Sequence, residues 1–344
     1  MKKWMALCAA GVLVTGFLCG GCGRGNVQAA VSSPAAQSSS EEGYPVTVEN
    51  YDSRGEKVST VYTHPPRRII ALWQNSVETL IELGAADTII AASGIDDENH
   101  LTPENRAVYK TIPVVSHQVL NQEMAVSLQP DFILGWLFDF TGKANSVGTW
   151  NYWHERQVPV YMTMMNNADF LQKHVVEEEL KYIEDVGAIV GKNGKAKEIV
   201  DSIKSQLDTY AAYGVQQDKK QKVLIIGSAA KELHVYTPRT LPGDIVTRLG
   251  GQVLGEEVES IGNSEIMSYE AMVDENPDVV FIQSQNETDT TGTETLYGNT
   301  ALQDVSAIRN HRVYAVPFYT IRCPAVRIRD SIDIFAHGLY PDMK

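Results

Sequence analysis

Aromatic rings and guanidinium groups recur in this chain at one kind of place, at the ends of short β-forming runs. Trp73, Gln74 and Asn75 follow Arg68-Ile69-Ile70-Ala71-Leu72, and Trp136 follows Asp131-Phe132-Ile133-Leu134. Tyr236 closes His234-Val235-Tyr236, with Arg239 just beyond, and Phe318, Tyr319 and Arg322 follow Arg312-Val313-Tyr314-Ala315-Val316. Rings offer flat walls and guanidinium forks grip anionic oxygens, so the set suits non-covalent capture of a bulky, partly flat anion. Each residue has a plainer alternative, a core position for a tryptophan or a surface ion pair for an arginine. Position in the loops selects Trp73, Trp136, Tyr236, Arg239, Tyr319 and Arg322 as ligand-binding candidates, with Arg239 and Arg322 foremost. Arg327 and Arg329 fall in a helical stretch, 326–339, and read as part of a solvated face.

Bond-making chemistry finds no comparable pattern. The chain has no Gly-x-Ser-x-Gly elbow, no His-Glu-x-x-His and no dinucleotide fingerprint. Gly187-Ala-Ile-Val-Gly191-Lys192 is one residue short of a phosphate-binding loop, has Asn193 where Ser or Thr is needed, and follows helix rather than strand. No catalytic residue is assigned and the chain reads as a non-enzyme. The eight histidines are scattered without a His-x-His cluster, which argues against capture of a bare metal ion and against direct metal ligation.

The candidate loops need a scaffold, and the pattern supplies one. β-rich runs alternate with helical stretches such as 76–83, the signature of an α/β fold with parallel sheets under helices. Ahead of them, Pro45-Val46-Thr47-Val48 and Val58-Ser59-Thr60-Val61-Tyr62 flank a polar turn and read as a hairpin. From 169 to 213 the apolar residues change to helical spacing, from Leu180 and Ile183 to Leu207 and Tyr210, with Gly191 and Gly194 interrupting. A long helix, broken near Lys192, therefore joins two halves. The halves echo each other: Glu123 stands seven residues before Pro130-Asp131 and a buried strand, and Glu270 stands seven before Pro277-Asp278 and another. The organisation expected is a lobe over 44–168, a linker helix over 169–216 and a second lobe over 217–344.

The N-terminus carries a different message. Lys2 and Lys3, an apolar run from Trp4 to Leu18 and the small residues Gly20 and Gly21 precede Cys22, the layout of a secretion signal, 1–21. Leu18-Cys19-Gly20-Gly21-Cys22 resembles the bacterial lipobox, with Cys19 standing where leucine is usual; it implies acylation (palmitate) of the Cys22 thiol. The alternative is an ordinary signal peptide with an incidental Cys22. Acyl chains contribute about 0.8 kcal/mol per buried CH₂, so two or more hold a protein on a bilayer. Residues 22–43, rich in Ser, Ala, Gln and Glu, read as a disordered tether. With Cys8 and Cys19 removed and Cys22 acylated, Cys323 is left without a disulfide partner. A formal charge of −14 argues against nucleic acid and against close adhesion to anionic lipid.

Several of these motifs fall in one order: Pro66-Arg67-Arg68-Ile69-Ile70-Ala71-Leu72, Glu78-Thr-Leu-Ile-Glu-Leu-Gly84, Leu128-Gln-Pro130-Asp131, Asn276-Pro277-Asp278 and Ala307-Ile-Arg-Asn-His-Arg312-Val313-Tyr314. That order resembles the helical-backbone substrate-binding proteins of ABC importers, the family for ferric siderophores, haem and cobalamin, over nearly all of 44–344. The resemblance implies two Rossmann-like lobes, a ligand cleft between them, a backbone helix permitting modest closure, and a monomer that delivers a small iron chelate to a permease dimer from the outer face of the cell membrane. It further implies that Glu123 and Glu270 dock onto that permease; helix capping is their alternative role. A ferric siderophore suits the aromatic and basic loops, and no cofactor is expected beside it. Haem remains the rival ligand, with His117, His234, Tyr236 and Tyr319 as iron-binding candidates, and cobalamin remains open.

Overall fold

Successive side chains on a strand point to opposite faces, so a strand apolar at every position must be covered on both sides. The computed structural model describes residues 43–143, 146–163, 174–255, 265–322 and 324–343. Runs buried at every position, Ile69–Leu72 and 223–226, lie at the centres of its two large sheets. After the antiparallel hairpin of β1 (Val46–Tyr51) and β2 (Lys57–Tyr62) come β3 (Ile69–Leu72), β4 (Ile89–Ser93), β5 (Val114–Ser116), β6 (Phe132–Trp136) and β7 (Val160–Thr163). They form an all-parallel sheet in the order β5-β4-β3-β6-β7.

The second lobe is built from β8 (Lys222–Ala229), β9 (Leu233–Val235), β10 (Gln252–Val253), β11 (Glu265–Met267), β12 (Val279–Ser284) and β13 (Val313–Pro317). Their order is β11-β9-β8-β12-β13, with β10 also on β8. Here the expectation of a purely parallel sheet needs correction, because β9 runs antiparallel to both β8 and β11. Only residues 230–232 separate β8 from β9, enough for a hairpin and far too few for a parallel crossover.

The repeated Pro-Asp motif has one structural job in each lobe. The Asp131 carboxylate accepts the Arg67 and Arg68 amides at 2.9 and 2.8 Å, and that of Asp278 accepts the Lys222 amide at 2.9 Å. Each aspartate thus ties the start of its strand to the start of the neighbour. The preceding residues, Gln129 and Asn276, share a left-handed backbone at φ 49° and 48°.

Between the lobes run two helices, Val176–Ile189 and Asn193–Val215, so the linker is broken where the glycines predicted. Gly191 turns at φ +69°, the Lys192 amide reaches back to the Gly187 carbonyl at 2.7 Å, and the Tyr44 hydroxyl donates to the Ile189 carbonyl at 2.7 Å. Gly187 allows the close approach of the two helices, since a Cβ there would stand 2.4 Å from that of Ala196.

The linker is no loose strap. Ile69 and Ala71 of β3, Ile183, Val186 and Ile203 of the linker, and Val223 and Ile225 of β8 belong to one buried cluster. The alternate residues, Ile70 and Leu72 or Leu224 and Ile226, face separate clusters on the outer sides of the sheets. Both lobes therefore share a core through the linker. No helix among the described residues is long and apolar enough to cross a membrane. The leader 1–21, the tether to residue 42, the junction 164–173 and Cys323 lie outside the described residues.

Candidate ligand cleft

In open α/β sheets ligands gather beyond the carboxyl ends of the strands, and the two tryptophan candidates meet there. Trp73 opens the helix Trp73–Glu82 directly after β3, and Trp136 is the last residue of β6. Their rings stack at 5.0 Å and 21°, and Phe138 stands edge-on to both at 5.4 and 5.3 Å. Trp73 takes a left-handed backbone, φ +70°, and packs against Gly94, where a Cβ would fall 2.9 Å from the indole. Trp73, His117, Val119, Phe138, Thr141 and Lys143 line a groove of about 620 Å³. Phe138 and Lys143 were not selected from the sequence, although Trp136-Leu137-Phe138-Asp139-Phe140 is a conspicuous aromatic run.

Beneath the indoles lies Asp139, fully buried. One carboxylate oxygen accepts the Trp73 indole N–H at 2.8 Å and the Trp136 amide at 2.7 Å, while the other has no hydrogen-bond partner. Burial pushes its pKa up to about 6, against the opposing pull of those two hydrogen bonds.

On the second lobe Tyr236 lies over Gly227 and its hydroxyl donates to Gln283 at 2.7 Å. Burial raises its pKa, and the charge of Arg322 works in the opposite direction. Arg322 is exposed and Arg239 is half-buried, its carbonyl accepting the His174 amide at 2.8 Å where the linker begins. Of the haem candidates, His117 faces the groove with a ring nitrogen 2.9 Å from the Ile95 carbonyl, whereas His234 is exposed between the buried Leu233 and Val235 of β9. Among the described residues no group of three or more His, Cys, Asp or Glu side chains is placed to hold a metal ion.

Tyr319 and Arg327 occupy a different position from the one their sequence context suggested. Tyr319 is buried, stacked 5.2 Å from the His100 ring of the first lobe. Arg327 is buried too, in a 3-10 turn, Ala325–Arg327, that precedes the last helix, Ile328–Leu339. The solvated-face reading fails for it because a partner waits across the lobe boundary: its guanidinium lies 3.2 Å from the buried Glu78 carboxylate and 3.1 Å from the His100 carbonyl. Burial opposes the charge of Arg327, but Glu78 and Asp330 outweigh it and hold the pKa above its ordinary value. Glu78 also accepts from Gln74 at 2.8 Å and Asn105 at 3.0 Å. Arg329 pairs with Glu82 in the same way. The lobe boundary here is therefore a polar seam with first-lobe carboxylates and second-lobe guanidiniums.

Glu123 and Glu270 are both exposed and both in the first turn of a short helix, Gln122–Ser127 or Tyr269–Glu275. Asn121 and Ser268 already cap those helices by accepting the Met124 and Ala271 amides. Large apolar side chains lie exposed beside each, Met124 and Val126 in one lobe and Ile266 and Val273 in the other.

Two lobes built on similar sheets and joined by a shared helical backbone define the bilobal architecture of a binding protein. The chain belongs to the periplasmic binding protein family, whose match spans residues 69–320, and has the helical-backbone form of the ABC-transporter substrate-binding proteins. It is similar to a periplasmic binding protein from Veillonella parvula DSM 2008, at 34% identity, covering 87% of this chain and 92% of that one, with a TM-score of 0.78. It also matches the uncharacterized ABC transporter substrate-binding lipoprotein YvrC of Bacillus subtilis (strain 168), 23% identical over 99% of each chain. A structure from Saccharomonospora viridis DSM 43017, described as an ABC-type Fe3+-hydroxamate transport system, shares the fold at 16% identity and a TM-score of 0.68, over 86% of this chain and 99% of that one.

Proposed function

We propose that this chain is the extracytoplasmic substrate-binding component of an ABC importer, which takes up a ferric siderophore between its lobes and delivers it to a permease without making or breaking bonds. The single observation that carries the reading is the groove at the carboxyl ends of β3 and β6, walled by the Trp73 indole, stacked on that of Trp136, and by the Phe138 ring; Tyr236, Arg239 and Arg322 of the second lobe are the groups that would complete it. Aromatic walls and guanidinium forks match a partly flat, anionic iron chelate, whose metal brings its own donor atoms. The Saccharomonospora relative, an ABC-type Fe3+-hydroxamate transport system, supports the same ligand class.

In this reading Cys22 carries the lipid anchor and residues 22–43 let a monomeric body reach its transporter from the outer membrane face, as the word lipoprotein in the YvrC description suggests. Ligand bridging favours the closed pairing of lobes, which sets the spacing of Glu123 and Glu270 for the two permease subunits. The test is a tryptophan-fluorescence titration of residues 44–344 against ferric catecholates, ferric hydroxamates, haem and cobalamins. A ferric siderophore should quench saturably, and replacing both Arg239 and Arg322 with Ala should weaken that binding at least tenfold while the fold survives. Saturable quenching by haem or cobalamin alone would refute the siderophore reading.

A further inference from the structure

The geometry points to Asp139 as the positioning residue of the first-lobe bank: one buried carboxylate oxygen clamps the Trp73 indole to the end of β6 and thereby fixes the angle at which the indole pair borders the groove. The inference rests on the cleft reading for its functional sense, but its test does not.

Three features separate this clamp from a routine turn cap. A cap needs only the Trp136 amide three residues back, whereas the same oxygen also takes the indole N–H of Trp73, sixty-six positions away in sequence and on another element. That second bond secures a residue with a left-handed backbone, a conformation that a large side chain holds only when its surroundings demand it. Gly135 leaves the room required, since a Cβ there would stand 3.0 Å from the accepting oxygen and 2.8 Å from Leu72. The groups bonded to the accepting oxygen are the Trp136 amide and the Trp73 indole, both uncharged, and no neighbouring charge contributes to the shift of the carboxyl. The titratable groups of the adjoining groove are His117 and Lys143.

An ionised carboxylate is the stronger acceptor, so the clamp is tight when Asp139 is charged and slack when it is neutral. With its pKa raised by burial to about 6, that change falls in a measurable window. The stability linkage has the opposite sense: the folded chain holds this proton more tightly than the unfolded one, so the contribution is full below the usual 3.8 and is lost as pH rises through about 6.

The experiment is near-ultraviolet circular dichroism of the ligand-free full chain, where a stacked indole pair gives an exciton couplet, assigned by its disappearance in Trp73→Phe. The couplet should weaken in the wild type as pH falls through about 6, follow the same course in His117→Gln, stay flat with pH in Asp139→Asn, and be lost in Asp139→Ala while the far-ultraviolet spectrum stays native. A couplet that persists in Asp139→Ala, or a midpoint that vanishes in His117→Gln and survives in Asp139→Asn, would overturn the assignment. If Asp139→Ala does not fold, the comparison of Asp139→Asn with His117→Gln alone decides. None of these readings depends on which chelate, if any, the cleft takes.

Discussion

The two lobes begin from the same device, a Pro-Asp turn feeding a buried parallel strand, and arm it with different chemistry. The first lobe places indoles and a buried carboxylate at its sheet edge and carboxylates, Glu78 and Glu82, on the seam below. The second places Tyr236 with Arg322 at its edge and Arg327 and Arg329 on the seam. Shape is shared and charge is divided, so the lobes complement one another at the seam while their sheet edges carry different side chains. Complementarity of charge selects one pairing of faces even where its net contribution to affinity is small.

Breaking the seam should give the largest effect. Arg327 and Glu78 are both buried, so removing one leaves the other charge without its main partner. Arg327→Ala is expected to cost about 3–5 kcal/mol, read as a fall in the urea midpoint, whereas replacing Arg327 with Met and Glu78 with Leu together should recover most of it. An Arg327→Ala midpoint equal to wild type would mean that the lobes are held by the shared apolar core alone. Arg329 and Glu82, which are partly exposed, should matter less.

The next effect contrasts the two banks. Gly94 backs Trp73 and Gly227 backs Tyr236, but only Gly94 has a left-handed backbone, φ +86°, and a Cβ there would meet the indole at 2.9 Å instead of the 3.3 Å found at Tyr236. Gly94→Ala should cost about 1–3 kcal/mol and disturb the indole couplet, and Gly227→Ala should cost less than about 1 kcal/mol. Equal losses in thermal unfolding would show that the first bank is no more tightly fitted than the second.

The comparison also explains what the sequence disclosed. Strands apolar on both faces, the hairpin ahead of them, the glycine break in the linker and the Pro-Asp echo are local patterns, and each was legible. The antiparallel β9 was legible in principle, from the short segment 230–232. The seam was not. Arg327 next to Asp330 on a helical stretch looks like a solvated face, and nothing local announces that Glu78, 249 positions away, lies against it. Tyr319 was read as a wall for the same reason, although His100 covers its ring. Trp73 and Trp136 were chosen singly, and only the parallel placement of β3 beside β6 stacks them over Asp139. Contacts across elements depend on register and topology, which composition does not encode.

The smallest effect on the protein itself is expected at the one feature the lobes share in full. Glu123 and Glu270 are exposed, occupy matching helical turns and leave capping to Asn121 and Ser268. Their remaining intramolecular role is a favourable position near a helix N-terminus, worth about 0.3–1 kcal/mol each. Replacing both with Ala should therefore lower stability by no more than about 2 kcal/mol and leave chelate affinity unchanged in the fluorescence titration. Transport is the sensitive readout: uptake of the same chelate by cells carrying the double variant should fall to background if the glutamates, each beside exposed apolar side chains, meet basic sites on two permease subunits. Normal uptake would return both residues to the helix ends, and loss from one single variant but not the other would mean that the lobes engage their partner unequally.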